Sequence, residues 1–135
     1  MSRSLIQVAN TSNQAVDEGG IISLGTILRR YGNECQLYGN AVVLDGGGYF
    51  TIDASVTVVP DATGVVTVSL YENNLPVQGA TASAYAGTAE QPVAIPIVAT
   101  VRRGCGCCNG LSNLTFVLDE GAGSVSNISV RVEKS

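Results

Sequence analysis

The chain has 135 residues, of which 45% are hydrophobic and 13% charged, with 7 basic, 11 acidic and no histidine side chains. This length fits one domain over residues 1–135, and the apolar content excludes a disordered chain. The net charge of −4 without a basic stripe is unfavourable for nucleic-acid binding, and the lack of histidine removes the commonest general base.

No apolar run approaches the length of a membrane span, and the amino-terminal residues lack the apolar region of a signal peptide. We therefore expect no membrane insertion. We also expect a complete chain that is made in a cytoplasm and is exported, if at all, by another route such as release of virus particles by lysis.

Apolar side chains recur at every second position almost throughout the chain, which is typical of β-strands. Clusters of Gly, Asp and Asn separate these runs and are typical of turns. The pattern predicts strands over residues 5–9, 21–24, 26–31, 35–37, 41–44, 48–59, 64–72, 77–85, 93–102, 113–118 and 125–133. Short strands at this spacing indicate an all-β fold, a two-sheet jelly-roll sandwich.

Two of the long predicted strands differ in the polarity of their faces. Residues 48–59 have one apolar face, which we assign to the core: Phe50, Ile52, Ala54, Val56 and Val58. Residues 93–102 are apolar on both faces, because Ala94, Pro96 and Val98 lie opposite the aliphatic side chains. A strand of that kind is covered on both sides. Either a second copy supplies the extra cover, which predicts a homo-oligomer, or the strand lies under a loop.

The segment GYFTIDASV, residues 48–56, resembles the central strand of tumour-necrosis-factor-like (TNF-like) and complement-type trimeric jelly rolls, with Gly48, Phe50 and Ile52 at the matching positions. Residues 125–134 resemble the last strand of those domains, which lies beside the first strand on the interface sheet. With its VTVSLY strand and short Cys-rich loop, the chain is also similar to small proteins of gut Clostridia and their phages, and to end domains of collagen-like exosporium proteins. The resemblance implies a TNF-like jelly roll that forms a homotrimer for display, adhesion or capsid decoration.

No Gly-X-Y collagen stalk precedes the domain, which favours a virion component over a spore-surface tip. We predict a non-enzymatic structural virion protein, a trimeric phage capsid decoration or fibre-head protein, whose partners are itself and a capsid or other virion protein. We expect it on the virion surface after assembly in the bacterial cytoplasm, or alternatively on a bacterial or spore surface. The alternative function is a surface-displayed head module that binds a receptor or a glycan through loops 73–76 and 104–111.

Six residues are the candidate trimer contacts: Tyr49, Thr51, Pro96, Val98, Arg131 and Glu133. Tyr49 alternates with Phe50, so its ring faces away from the core and either contacts a neighbouring subunit or rims the start of the strand. Arg131 and Glu133 alternate outward from the apolar positions of the last strand, and we expect them to form ion pairs between subunits. Such exposed pairs contribute little on their own.

Three cysteines, Cys105, Cys107 and Cys108, lie in a loop that follows two arginines. A zinc site with Cys35 as the fourth ligand is disfavoured, because Cys-Gly-Cys-Cys is tighter than the usual Cys-x2–4-Cys spacing. The neighbouring arginines would lower the thiol pKa values, so the three thiols could instead oxidise to intersubunit disulfides. We predict a tight Gly/Cys turn, with these disulfides as the first alternative and zinc as the second. Cys35 is predicted to be a small core residue.

Several acidic residues lie beside glycines in the predicted turns: Asp17, Glu18, Asp45, Asp61, Asp119 and Glu120. Carboxylates and turn carbonyls suit calcium, but no Asp-x-Asp-x-Asp loop is present, and we interpret these residues as hydrogen-bonded turn positions. The chain has no Trp and few aromatic residues of the kind that line the sugar cleft of a glycosidase. We therefore predict no catalytic residues, no cofactor and no enzyme activity.

Overall fold

The structure, a computed structural model, describes residues 4–103 and 111–134. The strands in these ranges are β1 (Ser4–Asn10), β2 (Gln14–Val16), β3 (Gly20–Ile21), β4 (Thr26–Tyr31), β5 (Cys35–Tyr38), β6 (Ala41–Leu44), β7 (Gly48–Pro60), β8 (Gly64–Glu72), β9 (Leu75–Ala86), β10 (Val93–Arg103), β11 (Ser112–Glu120) and β12 (Gly123–Lys134). Within the same ranges, no helix has the length and apolar character needed to cross a membrane.

The strands form two antiparallel sheets. The first sheet has the order β10–β7–β12–β1–β4, with β2 paired to β12, and the second has the order β5–β6–β11–β8–β9, with β3 paired to β11. The first and last strands lie side by side, from Ser4 opposite Lys134 to Asn10 opposite Ile128. The predicted all-β, two-sheet jelly roll is confirmed.

The core fills the space between the two sheets. The predicted core face of β7 is confirmed, since Phe50, Ile52, Val56 and Val58 are fully buried and Ala54 is nearly so. Each such side chain contributes about 1.5–3 kcal/mol by leaving water. The largest fully buried side chains come from both sheets and from the β3–β4 connection: Phe50, Phe116, Ile6, Ile22, Leu24, Leu44, Ile52, Leu70, Ile95, Leu114, Leu118 and Ile128.

The predicted strand at residues 21–24 is wrong in most of its length, because only Gly20–Ile21 is strand. Ile22 still donates its N–H to the carbonyl of Phe116 at 2.8 Å, and both Ile22 and Leu24 are fully buried. Their apolar alternation therefore reflects burial without a continuous ladder. The short strand β2 is an element that the sequence pattern missed.

β10 is not covered by a loop of the described chain. Its inward face is buried, whereas the outward Val98 is 68% exposed and Pro96 is also exposed. Within residues 4–103 and 111–134, the structure therefore shows no loop over this strand. The apolar outer face of β10 remains open in the single chain.

Polar contacts between distant residues close one end of the sandwich. The Glu34 carboxylate lies 2.6 Å from Lys134 Nζ and accepts a hydrogen bond from the Ser4 hydroxyl at 3.3 Å. The side chains of Lys134 and Glu34 are only 13% and 19% exposed, so water screens this ion pair weakly. At the same end the buried Arg103 donates to the Ser112 hydroxyl at 2.9 Å and to the carbonyl of Gly46.

Cys35 lies beside this network and is fully buried, which confirms its predicted place in the core. It pairs with Leu44 at the start of β5. Burial, with a smaller effect of the Glu34 charge, raises the pKa of the Cys35 thiol to about 11. The thiol is therefore protonated at neutral pH, and a protonated thiol is neither a good nucleophile nor a metal ligand.

Candidate interaction surface

The outer face of the first sheet, defined as its surface opposite the core, carries all six predicted trimer contacts. Thr51 lies between Thr100 and Glu133, Val98 lies opposite Asp53, and Arg131 lies on the other side of Asp53. Pro96 pairs with Ser55, and Tyr49 pairs with Arg102 at the end of the same two strands. The fold thus brings residues from three separate segments onto one continuous surface.

The cross-strand rows of this face differ in character. One row is charged at its centre and runs across five strands: Val98, Asp53, Arg131, Gln7 and Arg29. The neighbouring row has only short side chains: Pro96, Ser55, Ser129, Ala9 and Thr26. Short side chains leave the backbone of that row close to the surface, so a partner can approach it closely.

Three charged side chains of this face pair within the chain. Arg131 lies 2.7 Å from Glu133 Oε1 and 3.6 Å from Asp53 Oδ2, and all three side chains are about half exposed. Exposed pairs of this kind contribute about 0–1 kcal/mol. The ion pairs predicted between subunits would have to exchange with or extend these contacts, and they stay a prediction.

The edge strand β4 adds an exposed surface that sequence reasoning did not single out. All six residues of Thr26–Tyr31 are exposed, and the Tyr31 ring is 66% exposed. The free edge of this strand presents backbone groups to solvent as well as side chains. The signal in the sequence is the mixture of Ile27 and Leu28 with two arginines, which fits neither a core strand nor an ordinary solvated one.

The β8–β9 hairpin loop is one of the two predicted recognition loops. Asn73 and Asn74 have φ values of 53° and 68°, as a type I′ turn requires. Asn73 exchanges hydrogen bonds of 2.8 and 2.9 Å with the backbone of Asn113, so the loop is fixed to β11. Beside it lies an open groove of about 550 Å³ with these lining residues: Glu72, Asn73, Leu75, Pro76, Val77, Gln78, Thr100, Val101 and Arg102.

The cysteine cluster of the other predicted loop, Cys105, Cys107 and Cys108, lies outside the described residues, and its chemistry stays a prediction. Within residues 4–103 and 111–134, no three His, Cys, Asp or Glu side chains are placed to hold a metal ion. Two of the acidic turn residues that the structure describes accept hydrogen bonds from glycine N–H groups. Asp45 accepts from the N–H of Gly46 at 2.8 Å, and Glu18 accepts from Gly121 at 3.2 Å.

On the outer face of the second sheet, Tyr71 covers part of the surface. Its hydroxyl donates to Asp119 at 2.9 Å, although its Cα partner on β11 is Thr115, so the ring extends along β11 past Val117. This explains why Val117 and its partner Ser69 are buried although they point away from the core. The hydrogen bond to the carboxylate raises the pKa of the Tyr71 phenol.

No protein-family model matches the sequence, and the comparison with curated proteins gives no match. Among solved structures, murine APRIL is similar with a TM-score of 0.76 at 9% identity over 99% of this chain and 100% of that one. The globular domain of zebrafish complement 1qA has a TM-score of 0.68 at 7% identity, over 96% and 94%. Vertex protein P5 of PRD1 has a TM-score of 0.63 at 12% identity, over 97% and 72%. The chain therefore has the jelly-roll fold that these TNF-like and complement-type domains share.

Proposed function

We propose that the protein is a non-enzymatic structural protein that assembles as a homotrimer through the outer face of the first sheet. The single observation that carries this proposal is β10, whose inner face is buried and whose outer face is apolar and open, with Val98 68% exposed. Contact with a second copy would remove this aliphatic surface from water, which lowers the free energy.

The size of the surface suits such an assembly. A standard interface buries roughly 800 Å² per partner, and the outer face spans five strands that lie about 4.8 Å apart. Tyr49 on β7 and Tyr31 on the edge strand β4 add two large, exposed side chains to this face. The homotrimer that the resemblance to TNF-like jelly rolls implies agrees with this arrangement.

The proposed setting is the surface of a phage virion, after assembly in the bacterial cytoplasm, with a bacterial or spore surface as the alternative. The structural likeness to a vertex protein of PRD1 supports a virion role. The resemblance to proteins of gut Clostridia and their phages points the same way and stays a prediction. In this setting the base of the trimer docks on a three-fold or quasi-three-fold position of the shell, as a decoration or fibre-head protein.

The test is sedimentation of the purified protein at micromolar concentration, with two valine variants. Val98→Lys places a charge on the open face of β10, whereas Val65→Lys places the same charge on an exposed valine of the second sheet. We expect trimers for the wild type and for Val65→Lys, and monomers for Val98→Lys. A wild-type monomer of 13.9 kDa, or equal behaviour of both variants, would overturn the proposal.

The second candidate is a recognition head, and the groove of about 550 Å³ beside the β8–β9 hairpin favours it. The groove combines the apolar Leu75 and Val77 with Arg102 and Glu72, as ligand sites commonly do. Pull-down with capsids and with whole cells separates the two functions. Decoration predicts tight capsid attachment without cell binding, and recognition predicts the reverse.

A further inference from the structure

A shallow cavity of about 310 Å³ opens on the outer face of the second sheet, away from the surfaces above. Five of the residues that the structure describes line it, and we call them the amide–tyrosine patch: Gln36, Tyr38, Val43, Leu111 and Asn113. Its volume lies at the lower end of the roughly 300–1,000 Å³ that is usual for small-ligand sites. None of these five side chains is charged.

The strand register fixes the geometry of the patch. Gln36, Val43 and Asn113 are Cα partners on three adjacent strands, so the two amides flank the valine. Adjacent strands lie about 4.8 Å apart, which separates the two amide-bearing backbones by about 10 Å. Tyr38 lies two residues further along β5, opposite the small Ala41. Because the Ala41 side chain is small, the surface beside the Tyr38 ring is recessed.

The side chains in the patch are available for a ligand. The Tyr38 ring is 81% exposed, and Gln36 and Asn113 are exposed as well. Neither side-chain amide makes a hydrogen bond to the part of the chain that the structure describes. Each amide offers two N–H donors and a carbonyl acceptor, whereas Val43 and Leu111 offer only apolar contact.

We propose that the amide–tyrosine patch binds a neutral sugar ring. One face of such a ring carries C–H groups that pack on an aromatic ring, and its rim carries hydroxyls that both donate and accept hydrogen bonds. The Tyr38 ring can pack against the C–H face, and the amides of Gln36 and Asn113 can exchange hydrogen bonds with the hydroxyls. A charged ligand would gain no opposite charge from these five residues.

This inference does not depend on the trimer. The patch lies on the second sheet, whereas the surface proposed for subunit contact lies on the first. Three copies on one trimer would bind a surface bearing many sugars more tightly than one copy does, because the later contacts are intramolecular.

The experiment is an NMR titration of the ¹⁵N-labelled full chain with methyl β-glucoside, methyl β-galactoside and N,N′-diacetylchitobiose, and with glucuronate as the charged comparison. We expect at least one neutral sugar at millimolar concentration to shift the side-chain NH₂ signals of Gln36 and Asn113, and glucuronate to shift neither. Tyr38→Ala should weaken binding roughly fivefold to tenfold, the size of one aromatic contact. Tyr38→Phe should retain it.

Tyr85→Ala is the matched control, because Tyr85 is a 65% exposed tyrosine on the outer face of the same sheet, on β9. It should bind the sugar as the wild type does. The proposal is overturned if none of the neutral sugars shifts the two amides, if glucuronate shifts them equally, or if Tyr38→Ala and Tyr85→Ala behave alike. Sedimentation of the same variants reports assembly separately, so a failure here is distinguishable from a failure of the trimer.

Discussion

Replacing Gly25 by alanine tests how closely the β3–β4 connection approaches the first strand. Gly25 has a φ of 77°, and a Cβ built there would meet the carbonyl oxygen of Ala9 and lie 2.7 Å from the Cβ of Asn10. These obstacles are largely backbone at the end of β1, so they cannot move without disturbing the β1–β4 pairing.

The expected loss of unfolding free energy is the sum of two separate costs. A left-handed φ costs an alanine roughly 1 kcal/mol relative to glycine, and overpacking against a fixed neighbour costs about 1–3 kcal/mol more. Gly39 supplies the control, since its φ is 61° but nothing lies within 4 Å of a Cβ built there. We therefore expect Gly39→Ala to lose about 1 kcal/mol of unfolding free energy and Gly25→Ala about 2–4 kcal/mol.

The assay is urea unfolding followed by circular dichroism, at one fixed protein concentration because an oligomer's stability depends on it. With a slope of about 1–3 kcal/mol per molar urea, Gly25→Ala should unfold at a midpoint roughly 1 M below that of Gly39→Ala. If the two variants lose the same free energy, the close approach of Gly25 to β1 does not constrain the fold and the reasoning fails.

Two further perturbations concern the polar end of the sandwich. Because the folded Cys35 thiol has a pKa of about 11 against an ordinary 9.0, the unfolded chain releases this proton first, and stability should fall by up to about 3 kcal/mol as pH rises from about 9 to 11. Cys35→Ala should show a smaller fall in chemical denaturation across that range, and an identical fall would contradict the assignment. Lys134→Met removes the cation 2.6 Å from the partly buried Glu34 carboxylate and should cost roughly 1–3 kcal/mol, seen as a lower midpoint in thermal unfolding. Adding Glu34→Gln should restore part of this loss, and no restoration would show that the pair itself is not responsible.

The period-two pattern predicted the long strands well because each of them has one face on a single core. β7 shows this, since its alternate residues from Phe50 to Val58 are buried as expected. The same pattern wrongly predicted a strand at Ile22 and Leu24, which lie in an irregular connection. Both side chains are buried, and alternate buried positions give the same apolar pattern with or without a strand.

The surface could be predicted only in part. Strand alternation places Tyr49 and Val98 outward, but the register that sets Val98 beside Asp53 and Arg131 depends on pairings between distant segments. The amide–tyrosine patch could not be predicted for the same reason. Gln36 and Asn113 are 77 positions apart and are brought together by the pairing of their strands with β6. The ion pair of Glu34 and Lys134, which spans 100 positions, likewise has no local signal.

The place of β12 has a consequence for how the protein folds during synthesis. This strand lies between β7 and β1, and its last residue pairs with Ser4. The middle of the first sheet is therefore missing until residues 123–134 have left the ribosome. Closing so long a loop is slow, and β-rich domains of this kind fold in about milliseconds to seconds. A nascent chain without β12 leaves the facing edges of β1 and β7 unpaired, and unpaired strand edges promote aggregation, so the first sheet closes only once β12 is made.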